Sequence, residues 1–112
     1  MDELGIEFKA GIRNDGNGFF DPSPKKFAKK IVKKSNNKNL DIISYFIGIN
    51  EDTRDFSPIP LNRVRNEFHS ELRKHLESNG LDVIVSESIP LNGKKALLLI
   101  VVKKQKVENL DV

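Results

Sequence analysis

The stretch that decides the fold reads LDIISYFIGIN, residues 40–50 of the 112-residue chain. It is almost continuously apolar and rich in β-branched and aromatic residues, which is typical of a strand covered on both faces. We therefore predict a strand in the middle of a sheet. The acidic, proline-containing segment 51–60 that follows it predicts a loop.

The segment before this strand predicts a short amphipathic helix. Six lysines fall in three adjacent pairs between Lys25 and Lys34, and apolar pairs fill the spaces between them. At about 100° per residue, the apolar pairs gather on one side of a helix and the lysines spread over the other. Ser23 suits the N-cap, Pro24 suits the first helical position, and the asparagines from Asn36 onward suit the end.

The sequence after the central strand predicts a second helix and a hairpin. Apolar residues repeat at three- and four-residue intervals over Leu61–Asn79, and Gly80 stands where such a helix ends. Asp82–Ile89 and Lys95–Val102 are strand-like segments on either side of Asn92-Gly93, a dipeptide suited to tight turns.

The complete order of elements defines the predicted fold class. Leu4–Ala10 alternates weakly and predicts a first short strand, which gives the order β-α-β-α-β-β. Two helical crossovers predict parallel neighbours, and the final hairpin predicts an antiparallel pair. We expect an α/β (α+β) two-layer sandwich with a mixed sheet, as one domain over residues 1–103 with a polar tail over residues 104–112.

Charge is concentrated in one element of the chain. The net charge is +3, but residues 21–40 hold seven lysines and one acid, so they carry +6. There are no cysteines, which excludes disulfides and cysteine-ligated zinc. No apolar run approaches the roughly 20 residues that span a bilayer, and no signal peptide is evident. We therefore expect a cytoplasmic protein with no membrane partner.

The lysine-rich helix is the first candidate site. Like charges four residues apart cost a few tenths of a kcal/mol per pair, and no acid between residues 22 and 40 offsets them. This pattern favours an anionic partner, and nucleic acid, either DNA or RNA, is the leading hypothesis. The alternative is an ordinary solvated face. The candidate contact residues are Lys25, Lys26, Lys29, Lys30, Lys33 and Lys34, with Arg13 and Phe19 from the preceding glycine-rich loop.

A second candidate site is acidic. If the first and central strands are parallel neighbours, Glu7 approaches the acids that follow the central strand. Carboxylate oxygens are the ligands that Mg²⁺ and Mn²⁺ prefer, although a solvated acidic loop is the simpler interpretation. His69 and His75 are six residues apart on the second predicted helix, so they do not form a metal pair. The acids of this candidate site are Asp2, Glu3, Glu7, Glu51, Asp52 and Asp55.

In order along the chain, three short motifs resemble the Schlafen/AlbA-type DNA-binding domain. They are IEFK at residues 6–9 with Asp2 five residues before Glu7, YFIGINED at residues 45–52, and NGKKALLLIVV at residues 92–102. The resemblance implies an α/β domain that binds DNA. Some Schlafen proteins cut RNA with three acids, which here would be Asp2, Glu7 and either Glu51 or Asp52.

These observations lead to one functional expectation and two open alternatives. We expect a small nucleic-acid-binding domain that needs no cofactor, and whether it is also an enzyme stays open. The first alternative is a protein-interaction module, an inhibitor or adaptor encoded by a mobile element, that docks on an acidic protein surface. The second is a nuclease that depends on Mg²⁺ or Mn²⁺. A homodimer is also compatible with a small sheet, because its edges can be covered by a second copy.

Overall fold

The computed structural model describes residues 5–12 and 18–105, which form one mixed sheet and two helices. Among these residues no helix is long and apolar enough to cross a bilayer. The predicted order β-α-β-α-β-β is confirmed, with one very short strand added where we expected only a loop. The elements are β1 (Ile6–Lys9), α1 (Pro24–Asn36), β2 (Ile42–Ile47), β3 (Ile59–Pro60), α2 (Asn66–Ser78), β4 (Leu81–Leu91) and β5 (Lys95–Lys104).

Strand β5 lies at the centre of the sheet. It pairs antiparallel with β2 and β3 along one side and with β4 along the other. Strands β1 and β2 are parallel neighbours, as expected from the first crossover. The second crossover joins β2 to β4, which run in the same direction but are separated by β5. They are not neighbours because the return strand of the hairpin occupies the position between them.

The hydrophobic core lies between the helices and one face of the sheet. Alternate residues of β2, namely Ile43, Tyr45 and Ile47, are completely buried, whereas Ile42 is 48% exposed. The prediction that β2 is covered on both faces was wrong, because α1 and α2 pack on the same face of the sheet. On the helices, the residues buried in this core are Phe27, Ala28 and Ile31 of α1 and Phe68, Leu72 and Leu76 of α2.

Helix α1 forms where the sequence predicts it, and contacts with the core fix its orientation about its own axis. The Ser23 hydroxyl accepts a hydrogen bond from the Lys26 amide at 3.4 Å, which caps the first turn. The Tyr45 hydroxyl lies 2.7 Å from the Ser35 hydroxyl and donates to the Ile31 carbonyl at 3.4 Å. Burial raises the pKa of Tyr45 to about 12. These contacts join α1 to β2 and thereby determine where the lysines lie.

Helix α2 is shorter than predicted. It begins at Asn66, and the expected first turn is instead a separate 3₁₀ turn over Leu61–Arg63. The Leu61 amide donates to the Lys94 carbonyl at 2.9 Å, so this turn is attached to the β4–β5 hairpin. The spacing of Leu61 and Val64 fits a 3₁₀ turn as well as an α-helix, because a 3₁₀ turn repeats every three residues.

Candidate functional site

Four of the six predicted contact lysines form an exposed face on α1. Within the described part of the chain, Lys25, Lys26, Lys29 and Lys33 are exposed and make no ion pair. We call these four residues the lysine face. Because the opposite side of α1 is buried in the core, these four side chains are held on its outer side.

The other two lysines, Lys30 and Lys34, have contacts within the protein. The Lys30 ammonium donates to the Phe19 carbonyl at 3.1 Å and lies 5.9 Å from the centre of the Phe19 ring. A side-chain contact with Lys9 lowers the pKa of Lys34, and partial burial lowers it further. Lys30 and Lys34 therefore border the lysine face but are not available in the same way.

Phe19 packs on the core beside the lysine face. Its ring lies 5.7 Å from Phe27 and 6.3 Å from Tyr45, measured between ring centres, and the ring is half-buried. The backbone at Gly18, just before Phe19, passes close to the backbone at Gly11. This approach requires glycine, because a Cβ at Gly18 would collide with the Gly11 carbonyl. Contact between Phe19 and a base stays a prediction. Arg13 lies outside the described residues.

A lysine pairs with each of two predicted acids, Glu7 in β1 and Glu51 just after β2. Glu7 is 6% exposed and forms an ion pair with Lys38. Glu51 follows β2, and its Oε2 atom lies 3.2 Å from the Lys9 ammonium. Asp52 is exposed in the following loop, where its amide donates to the Asn50 side chain at 2.9 Å. Asp2, another predicted acid, lies outside the described residues.

The described carboxylates do not form a site for Mg²⁺ or Mn²⁺. Over residues 5–12 and 18–105, no three carboxylate or imidazole groups lie together in a way that holds a metal. Glu7 and Glu51 are each neutralised by an ammonium group, which a divalent cation would have to displace. The nuclease alternative therefore stays a prediction that depends on Asp2.

We expect Glu7→Gln to lower the free energy of unfolding by about 3 kcal/mol, because it removes one charge from a buried ion pair. Urea unfolding measures this change. The control is Glu71→Gln, which removes one charge from the exposed pair with Lys74 and should cost less than about 1 kcal/mol. Equal unfolding midpoints for the two variants would contradict the assignment. If Glu7→Gln also abolished a nuclease activity, this stability measurement would show whether the variant had lost a catalytic group or had unfolded.

His69 of α2 belongs to a hydrogen-bonded chain that sequence reasoning missed. Its Nδ1 atom lies 2.6 Å from the Ser86 hydroxyl, and its Nε2 atom lies 2.8 Å from the Ser88 hydroxyl. Ser88 donates to the Val64 carbonyl at 2.7 Å, so its oxygen accepts the Nε2 proton. Burial lowers the pKa of His69, which favours the neutral ring. Nδ1 then has no proton and accepts one hydrogen bond from Ser86.

A β-bulge places the two serines opposite His69. Leu81 and Val83 face the core, so strict alternation along β4 would put Ser86 and Ser88 on the other face of the sheet. The irregularity between Val83 and Val85 reverses this alternation. No residue type in this segment marks a bulge, which explains why the sequence alone did not bring His69 and the serines together.

No family model, curated protein or solved structure matches this chain. The resemblance to the Schlafen/AlbA-type domain therefore depends on the short motifs described above, and it stays a prediction. The functional proposal depends on the geometry and charge of the described residues.

Proposed function

We propose that this protein binds nucleic acid through the lysine face of α1. The observation that carries this proposal is that four exposed lysines lie on one capped helix whose other side is fixed in the core. They make no ion pair among the described residues, so their repulsion is not compensated within that part of the protein. A polyanion would supply the compensation.

The dimensions of the lysine face suit a phosphate backbone. Lys25 and Lys33 are eight residues apart, which corresponds to about 12 Å along a helix. Phosphates of one DNA strand follow each other at about 3.4 Å along the duplex axis, so this length matches three or four of them.

An acidic protein surface is the alternative partner for the same lysines. It would also neutralise the charge, but it would bind with a defined stoichiometry and not depend on a repeating phosphate backbone. The salt dependence of binding to single-stranded and duplex nucleic acids distinguishes these two hypotheses. If nucleic acid is the partner, each phosphate that is neutralised adds an increment to the slope of log affinity against log salt.

The test is fluorescence anisotropy with labelled single-stranded and duplex DNA and RNA at salt concentrations from about 50 to about 300 mM. Lysine is replaced by glutamine at one position of the lysine face at a time. Each change should reduce the slope of log affinity against log salt by about 0.9 on duplex DNA and about 0.7 on single strands. The control is Lys103→Gln, because Lys103 is exposed on β5, outside the lysine face.

Two results would overturn this proposal. One is the absence of binding to every probe at physiological salt, which would leave an acidic protein as the leading partner. The other is an equal loss of slope in Lys103→Gln and in the variants of the lysine face, which would show that net charge alone governs the interaction.

A further inference from the structure

A groove lies between α2 and the β4–β5 hairpin, and no α1 lysine lines it. Its volume is about 1450 Å³, which is enough for a ligand much larger than a single ion. Basic side chains outnumber acidic ones in its lining. The charged residues that line it are Arg65 just before α2, Glu67, Arg73 and Lys74 of α2, Glu87 of β4, and Lys94 and Lys95 of the turn and β5.

Hydrogen bonds anchor one basic side chain and the hairpin turn at the walls of the groove. Arg65 is the N-cap of α2, and His69 and Arg73, four residues apart, lie on one side of that helix; all three line the groove. Arg73 donates to the Val83 carbonyl of β4 at 3.2 Å. The hairpin turn is held by the hydrogen bond from the Leu61 amide to the Lys94 carbonyl.

The hydrogen-bonded chain at His69 has two possible proton arrangements. With a neutral ring, the Ser86 hydroxyl donates a hydrogen bond to Nδ1, and only the lone pairs of its oxygen remain for a ligand in the groove. When Nδ1 is protonated, it donates to Ser86 instead, and the Ser86 proton becomes free to donate to a ligand. Protonation thus adds a positive charge and a hydrogen-bond donor beside the groove at the same time.

We propose that this groove binds a phosphate monoester dianion and that His69 takes up a proton as the dianion binds. The basic lining supplies the attraction for the two charges, and Ser86 supplies a donor that forms only on protonation. The proposal does not depend on nucleic-acid binding by the lysine face, because the two sites share no residue.

The direction of the pH dependence follows from the surroundings of His69. Burial lowers the pKa of His69 in the free protein, while the Val64 carbonyl and Glu87 act in the opposite direction. A bound dianion favours the charged ring and raises this pKa. Between the free and bound pKa values, affinity should increase as the pH falls, by up to about tenfold per pH unit. The other charged groups that line the groove are Arg65, Arg73, Lys74, Lys94, Lys95, Glu67 and Glu87.

Sulfate is the first probe, because it is tetrahedral and keeps both charges over the pH range in which His69 titrates. The ring resonances of His69 and His75 are followed by NMR against pH, in sulfate and in chloride at equal ionic strength. We expect sulfate to raise the pKa of His69 and to leave that of His75 unchanged. His75 is the internal control, because it lies on the same helix but does not line the groove. Curves that shift for neither histidine, or equally for both, would overturn the proposal.

Two variants separate charge from proton uptake. Lys94→Ala/Lys95→Ala should weaken sulfate binding about tenfold or more at every pH, because each ammonium group would supply a charge-assisted contact to the anion. His69→Gln keeps an amide donor and acceptor but cannot titrate, so its sulfate affinity should be independent of pH. Lys103→Ala is the control and should behave as the wild type. Unchanged binding in Lys94→Ala/Lys95→Ala, or unchanged pH dependence in His69→Gln, would contradict the assignment.

The source of the phosphate is distinguished by three further probes. They are inorganic phosphate, adenosine 5′-monophosphate and an oligonucleotide with or without a 5′-phosphate, each tested on a variant without the four lysines of the lysine face. Tighter binding of the mononucleotide than of inorganic phosphate would indicate a nucleotide site. A requirement for the 5′-phosphate on the oligonucleotide would indicate recognition of a nucleic-acid end. Failure of all three to compete with sulfate would overturn the proposal.

Discussion

Phe27→Ala is expected to lower the free energy of unfolding by about 3–5 kcal/mol, which is the usual cost of removing a buried phenyl ring. Phe27 has no exposed surface, and its ring centre lies 5.7 Å from Phe19, 5.5 Å from Phe20 and 5.8 Å from Phe68. It therefore joins the segment before α1, α1 itself and α2. Because small domains have only about 5–15 kcal/mol of stability in total, this change removes a large part of it.

The matched control is Phe56→Ala, which makes the same chemical change at a ring that is 66% exposed. Its effect should stay within about 0.5 kcal/mol. Urea unfolding followed by circular dichroism measures both variants, and their slopes against urea show whether the denatured states are comparable. Equal midpoints would show that α1 is not packed on the core through Phe27.

The sequence predicted those parts of the fold that depend on local patterns. The ends of α1 followed from Ser23, Pro24 and the terminal asparagines, and the hairpin followed from Asn92-Gly93. In both places residues close in sequence decide the backbone conformation, so the chemistry of individual side chains is sufficient. The order of strands along the chain was predictable for the same reason.

The remaining features depend on contacts between residues that are distant in sequence. The ion pairs of Glu7 with Lys38 and of Glu51 with Lys9 join residues more than thirty positions apart, and nothing local in the sequence indicates them. The bulge in β4 likewise decides whether Ser86 and Ser88 meet His69. The four-residue spacing of Arg65, His69 and Arg73 is visible in the sequence. It indicates a groove only once β4 and the hairpin turn are known to lie opposite these residues.

Replacing all four lysines of the lysine face by glutamine should weaken binding to duplex DNA about a thousandfold at about 0.15 M salt. This estimate applies a loss of about 0.9 in slope for each of four phosphates, taken from about 1 M salt downward. The same change should not destabilise the protein, because it relieves like-charge contacts between residues four apart, which cost a few tenths of a kcal/mol each. Binding and stability are thus expected to move in opposite directions, which a merely misfolded variant cannot reproduce.

The control for this variant replaces the same four lysines, Lys25, Lys26, Lys29 and Lys33, by arginine. Arginine keeps the charge and also contacts phosphate, so the slope against salt should be retained. Lys30 is not part of this variant, because its ammonium group donates a hydrogen bond to the Phe19 carbonyl. Lys30→Gln removes that hydrogen bond and should therefore lower the free energy of unfolding by about 1 kcal/mol. If the glutamine variant of the lysine face kept its affinity for duplex DNA, the exposed charge on α1 would serve a different partner. An acidic protein would then be the partner to seek, and failure to find one would leave an ordinary solvated face as the interpretation of these lysines.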